Sequence, residues 1–121
     1  MHTKKQIGNL GEKLAIKYLI NKNYLILAKN YHIKGGEVDI IVQDKDTQEI
    51  VFVEVKTRTS NDFGWPEESI NKKKRLRLAK TANKYLKDNK YPFDQNYRFD
   101  SIAIELDYQT RLAKISHFKY I

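Results

Sequence analysis

Two short runs decide how this chain is read: Gly36-Glu37-Val38-Asp39-Ile40-Ile41 and Phe52-Val53-Glu54-Val55-Lys56-Thr57-Arg58. Both are dominated by β-branched and aromatic residues, which favour extended backbone, and each interrupts its aliphatic pattern with ionisable side chains. Read as strands 37–43 and 49–58, they place Val38, Ile40 and Val42 on one face and Val51, Val53 and Val55 on the matching face of the neighbour. Side chains alternate with a period of two, so matching the valine faces forces a pairing in which the two residue numbers sum to an odd value. The same register carries Asp39 to the face of Glu54 and Lys56. Asp44 to Gln48, polar and rich in turn formers, connects the two strands.

Outward from this hairpin, residues 5–21 carry Ile7, Gly11, Leu14 and Tyr18 at helical spacing, with Leu10 and Ala15 widening the stripe. Tyr24 to Ile33 reads as a strand, and Lys34-Gly35-Gly36-Glu37 as a tight turn in which paired glycines supply positive φ. Asn71 is suited to cap a helix over 72–88. Two further strands follow near 97–106 and 111–120, joined by a turn from Asp107 to Thr110. The predicted order is α-β-β-β-α-β-β, an α/β domain with a mixed sheet.

Composition bounds the rest. A chain of 121 residues forms one domain and buries roughly 65% of its unfolded surface, enough for a real core. There is no cysteine, which excludes disulfide frameworks and thiolate metal sites and fits a reducing, cytoplasmic setting. No run approaches the roughly 20 apolar residues of a membrane span, and the N-terminus lacks an apolar signal region. The net charge is +8, and the excess is concentrated: Lys72 to Lys90 hold nine Lys or Arg against one acid, Asp88. Such a concentration favours a polyanion.

The ionisable residues define a candidate chemistry. On facing positions of paired strands, the Cβ atoms of Asp39 and Glu54 would lie about 4.5–5.5 Å apart, near enough to share a hard cation. Lys56 projects from the same face as Glu54 and is placed to orient an attacking water or offset charge on a phosphate. Glu12 flanks the apolar stripe of the first helix beside Gly8, Ala15 and Leu19, and the small residues among them permit close approach to the sheet. Glu12, Asp39, Glu54 and Lys56 sum to −2, which one divalent ion would neutralise; without it, the acids raise one another's pKa. Taken alone, a Glu-x-Lys triplet is usually an ordinary solvent-facing strand and Glu12 an ordinary exposed acid. The functional reading rests on their convergence.

The second helix offers the partner surface. Lys73, Arg77, Lys80, Lys84 and Lys87 form one stripe on a helical wheel, opposite Leu78, Ala79, Ala82, Tyr85 and Leu86. Lys72, Lys73, Lys74 and Arg75 crowd the N-terminus, where the macrodipole is already positive and an anion would be welcome. Trp65, in the loop Phe63-Gly64-Trp65-Pro66, is read as an anchor on the core rather than a base-stacking platform. His2, His32 and His117 show no ligand spacing, and Arg98 and Asp100, on one face of their strand, are expected to pair.

With these residues in view, the chain resembles the YraN family of small uncharacterised bacterial proteins. That family belongs to the PD-(D/E)xK nuclease-like superfamily, with archaeal Holliday junction resolvases and restriction endonucleases. Gly8-x-x-Gly11-Glu12 with Ala15 resembles its opening helix. Asn30 through Gly36-Glu37-Val38-Asp39 and Phe52 through Arg58 resemble its two signatures, and Gly64, Pro66, the run around Lys74 and Arg98-Phe99-Asp100 follow in order. Lys72 stands where relatives often have proline, and Val38 where isoleucine is more usual. The resemblance implies a restriction-endonuclease-like αβββαβ core with a mixed central sheet flanked by helices. It implies Asp39, Glu54 and Lys56 at catalytic positions, Glu12 as a helical acid, and the Val55 carbonyl as an extra ligand to Mg²⁺ or Mn²⁺.

The function expected from residues and resemblance together is metal-dependent hydrolysis of phosphodiester bonds in DNA, branched or structured DNA included. Arg58, Lys72, Lys73, Lys74, Arg75, Arg77, Lys80 and Lys84 are the candidate nucleic-acid contacts. A homodimer is expected only by analogy with resolvases, which make two matched cuts. The alternatives are a catalytically inactive nucleic-acid-binding module on the same fold, and a basic adaptor for an acidic protein.

Overall fold

The computed structural model describes residues 3–59 and 71–121. The elements run α1 (Lys4–Asn21), β1 (Tyr24–Ile33), β2 (Gly36–Asp44), β3 (Ile50–Thr59), α2 (Lys72–Asp88), β4 (Tyr97–Asp107) and β5 (Leu112–Phe118). The predicted order holds throughout, with the last strand shorter than the pattern suggested. The expectations placed on His2 and on the loop carrying Trp65, Gly64 and Pro66 lie outside the described residues.

The five strands form one sheet in sequence order, antiparallel except for the parallel pair β3–β4. That parallel step requires a crossover, and α2 lies within it. β3 is covered on both faces, which explains why Ile50-Val51-Phe52-Val53 is continuously apolar and fully buried. On one face, Ala15 and Leu19 of α1 pack on Ile40, Val42, Val51, Val53, Ile102, Ile104 and Leu106. On the other, Leu78, Ala82 and Tyr85 of α2 pack on Val38, Ile41, Ile50 and Phe52. The restriction-endonuclease-like αβββαβ arrangement is therefore present, with a mixed sheet between two helices. Neither helix is long and apolar enough to cross a membrane.

Local chemistry explains the helix ends. Thr3 caps α1 through a reciprocal pair of hydrogen bonds with Gln6 (3.1 and 2.9 Å), and Asn71 Oδ1 caps α2 by accepting from the Lys74 N–H at 2.8 Å. Gly11, buried on α1, lies so close to β3 that a Cβ there would overlap the Thr57 side chain. Leu10, expected in the apolar stripe, is instead 40% exposed.

Two readings of the β1–β2 hairpin need correction. Only Gly35 has positive φ (88°). Gly36 serves close approach, because a Cβ at that position would overlap Thr81 Oγ1 on α2. Val38 does not share the face of Ile40 and Val42 but joins the α2 cluster together with its cross-strand partner Tyr31. Asn30, between Lys29 and Tyr31, sits in the left-handed region (φ 51°) and interrupts the two-residue alternation there.

Candidate active site

The β2–β3 ladder pairs Ile40 with Val53, Ile41 with Phe52 and Val42 with Val51, so partner numbers sum to 93. The sum is odd, as the valine pattern requires. Asp39 and Glu54 stand one step beyond the last paired residues. There β3 keeps its pairing with β4 through Thr59 but no longer pairs with β2. The Asp39 side chain takes over from the departed strand: the Val55 N–H donates to Asp39 Oδ2 at 2.8 Å.

Asp39 and Glu54 line one cleft of about 550 Å³ with the β1–β2 turn, Lys74, Arg77 and Leu78. Burial is the main influence on Asp39 and pushes its carboxyl up. The Val55 N–H opposes this, and the negative charges of Glu12, Glu54 and Glu37 add to it, leaving the pKa at about 6. Glu54 is ion-paired with Lys74 through Oε1, while its Oε2 is buried with no hydrogen-bond partner.

The predicted quartet is only partly gathered. Glu12 lies on the α1 side and lines a smaller cleft with Val55, Thr57 and Thr59. It is near enough to raise the Asp39 pKa but does not line the larger cleft. Lys56, half-buried and paired in register with Ala103, does not line the larger cleft. Among the described residues, no three His, Cys, Asp or Glu side chains are grouped closely enough to hold a metal ion.

Of the basic candidates, Lys72, Lys73, Arg75, Arg77, Lys80 and Lys84 are exposed along α2, and Arg58 is half-buried on β3. Arg75 Nη1 donates to the Ile121 carbonyl at 3.0 Å, and Lys84 pairs with Asp88 at 3.2 Å. Lys74 turns inward to Glu54. A sequence signal for this existed: Lys74 precedes Leu78 by four residues and Ala82 by eight, which puts it on the buried stripe and not on the solvent face.

A second polar cluster occupies the α1 face. Arg98 pairs with Asp100 through Nε (3.0 Å) and Nη2 (3.2 Å), as its spacing suggested. It also donates to Asp44 (3.0 Å), Glu49 (2.7 Å) and the Tyr24 hydroxyl (2.9 Å). His117 Nε2 contacts Asp100 Oδ2 at 2.8 Å, and its Nδ1 contacts the Tyr18 hydroxyl at 3.0 Å. Burial alone would raise the Asp100 carboxyl, but hydrogen bonds from His117 and Arg98 outweigh it and the net shift is downward. His117 follows Ile115 by two residues on β5, and Ile115 packs in the α1-side core, so strand periodicity points this ring inward. This cluster is satisfied internally and lines neither cleft.

Fold and site together define a PD-(D/E)xK-like α/β protein, with an acid on β2 just past its ladder with β3 and an acid-x-lysine triplet on β3. Residues 11–104 match the family described as "Uncharacterised protein family UPF0102", and the chain belongs to this UPF0102/YraN family. It is 48% identical over 116 residues to a UPF0102 protein of Alkaliphilus oremlandii, covering 95% of this chain and 96% of the relative. A relative from Caldicellulosiruptor bescii is 43% identical over 115 residues, with 95% of each chain covered. Another, from Clostridioides difficile, is 44% identical over 102 residues, covering 84% of this chain and 87% of the relative.

Proposed function

We propose that this protein is a divalent-cation-dependent nuclease that hydrolyses phosphodiester bonds in DNA, with branched or structured DNA among its substrates. One observation carries the reading. Asp39 and Glu54, from adjacent strands, open onto the same cleft as Lys74 and Arg77 of the basic helix, so acidic and basic side chains share one space.

The residues present suit a hard cation. Glu54 Oε2 is buried without a partner, and burial, reinforced by the neighbouring acids Glu12, Glu54 and Glu37, holds Asp39 at a raised pKa. Asp39 and Glu54 would hold Mg²⁺ or Mn²⁺, with the Val55 carbonyl as a further ligand and Glu12 acting from the neighbouring cleft through water. Bound there, the cation would supply a nucleophilic water and neutralise charge on the phosphate. Lys56 would orient the attacking water or stabilise the transferring phosphate, and the exposed cations of α2 would grip the backbone, so affinity should fall steeply with salt.

The basic run of α2, whose exposed cations need neither carboxylate to meet a phosphate backbone, favours a second reading, a nucleic-acid-binding module without turnover. Incubating the protein with linear, nicked, flapped and four-way DNA in Mg²⁺ or Mn²⁺ separates the two. Cleavage abolished by Asp39→Ala and by Lys56→Ala supports the nuclease. Salt-sensitive binding that persists in Asp39→Asn, with every substrate left intact, supports the binding module.

A further inference from the structure

We infer that Lys74 is an exchangeable counter-ion of Glu54, so that a divalent cation enters the site by displacing its ammonium. The inference rests on the reading of Asp39 and Glu54 as the cation site and adds a device that controls when that site is filled.

Glu54 lies at a strand position flanked by apolar residues, and its side chain is 20% exposed. A carboxylate so placed needs positive charge, and α2 delivers it: the Lys74 ammonium contacts Oε1. The arrangement is incomplete, because Oε2 remains buried and without a partner. One ammonium serves one oxygen, whereas a divalent ion can engage both oxygens of a carboxylate. The better-suited cation therefore replaces the resident one.

The replacement needs little rearrangement. The Lys74 backbone is fixed by the hydrogen bond from its N–H to Asn71 Oδ1 at 2.8 Å, which anchors the first turn of α2. The four-carbon side chain beyond it turns about its own bonds. Once released, the ammonium stands among Lys72, Lys73 and Arg75 in a first turn that contains no acid. That field opposes the released charge unless a polyanion lies along the helix. Phosphate binding on α2 and cation binding on Glu54 thereby reinforce one another, as linkage requires when one group serves both.

Calorimetric titration of MnCl₂ into wild type, Lys74→Gln, Lys74→Arg, Arg77→Gln and Glu54→Gln, all free of nucleic acid, tests the exchange. Lys74→Gln should bind Mn²⁺ about tenfold more tightly than wild type, the scale of one charge-assisted hydrogen bond no longer in competition. Lys74→Arg, which can hold both carboxylate oxygens, should bind several-fold more weakly. Arg77→Gln removes a cation from the same cleft that is not paired with Glu54, and should tighten binding by no more than about twofold. Glu54→Gln should abolish it. Melting temperatures without metal report whether each variant folds, and the arginine variant retains the charge should the glutamine variant be unstable. Mn²⁺ binding to wild type that is not tightened by Lys74→Gln, or is tightened equally by Arg77→Gln, overturns the exchange and leaves the cation site standing. No Mn²⁺ binding by wild type or by Lys74→Gln overturns both.

Discussion

Replacing Asp39 with asparagine should stabilise the metal-free protein, and the gain should depend on pH in a specified direction. The carboxyl is buried enough that its pKa moves from the ordinary 3.8 to about 6. The folded state therefore holds this proton more tightly than the unfolded chain. Below about pH 4 the group is protonated in both states and costs nothing. Between about pH 4 and 6 the unfolded chain ionises first, and stability falls as pH rises; above about 6 the whole penalty is present. A shift of roughly two units sets a ceiling of about 3 kcal/mol, and partial solvent contact with salt screening reduces it to about 1–2 kcal/mol.

Asparagine keeps a carbonyl oxygen to accept the Val55 N–H and removes the charge. For a chain of 121 residues, 1–2 kcal/mol is a rise in Tm of about 4–8 °C. Thermal melts of wild type and Asp39→Asn in chelator, from pH 4 to pH 8, should diverge as pH rises and coincide near pH 4. Adding Mg²⁺ should raise the Tm of wild type and leave the variant where it was. A variant less stable than wild type at pH 7.5, or a Tm difference that ignores pH, would refute the account of Asp39 as a carboxylate held at the expense of stability.

Two other perturbations read the scaffold. Arg98→Met removes the one cation shared by Asp44, Glu49 and Asp100, which keep only their remaining hydrogen bonds, and the loss should cost about 3 kcal/mol in urea denaturation. Because these three carboxyls are held below their ordinary values, their contribution is present above about pH 4 and is lost as pH falls through the lower folded values. The variant should show a flatter acid limb in a stability profile; an unchanged limb would remove the network from the account of acid stability. Gly36→Ala should destabilise by about 1–3 kcal/mol, because its new methyl meets Thr81 Oγ1 on α2. Adding Thr81→Ala should recover part of the loss, and strict additivity in the double-mutant cycle would refute that contact.

What the sequence disclosed follows from which interactions are periodic. The facing of Asp39 and Glu54 was legible because two valine stripes admit only one parity of register, and the observed sum of 93 obeys it. The ends of α2 were legible because Asn71 is a capping residue before an amphipathic run. Interactions that depend on one torsion or on distant pairing were not legible. Asn30 has φ 51° just before Tyr31, which packs with Val38 in the α2 cluster, and no spacing rule anticipates a left-handed residue inside a strand. Asp44, Glu49 and His117 meet Arg98 and Asp100 only once five strands are laid side by side. The wheel of α2 displayed its basic stripe but drew attention away from Lys74, the cation on its buried side.

The two polar clusters also differ in a way that bears on function. On the α1 face, Asp100 has three partners, Arg98, His117 and the Tyr120 N–H, and its oxygens are satisfied despite complete burial. On the α2 face, Glu54 is left with one oxygen unpaired and Asp39 with a raised pKa, although cations lie along the adjacent helix. A fold able to neutralise buried carboxylates on one side of its sheet is not short of means to do so on the other. Among the described residues the buried polar atoms without a partner are Glu54 Oε2 and Ser101 Oγ, and only the first belongs to a carboxylate and opens on a cleft; an unmet carboxylate in a cleft is a feature that ligand binding accounts for. The missing charge is positive, the available donors are oxygens, and the surrounding cations favour phosphate; a divalent ion and a nucleic-acid backbone would together supply what the cleft lacks.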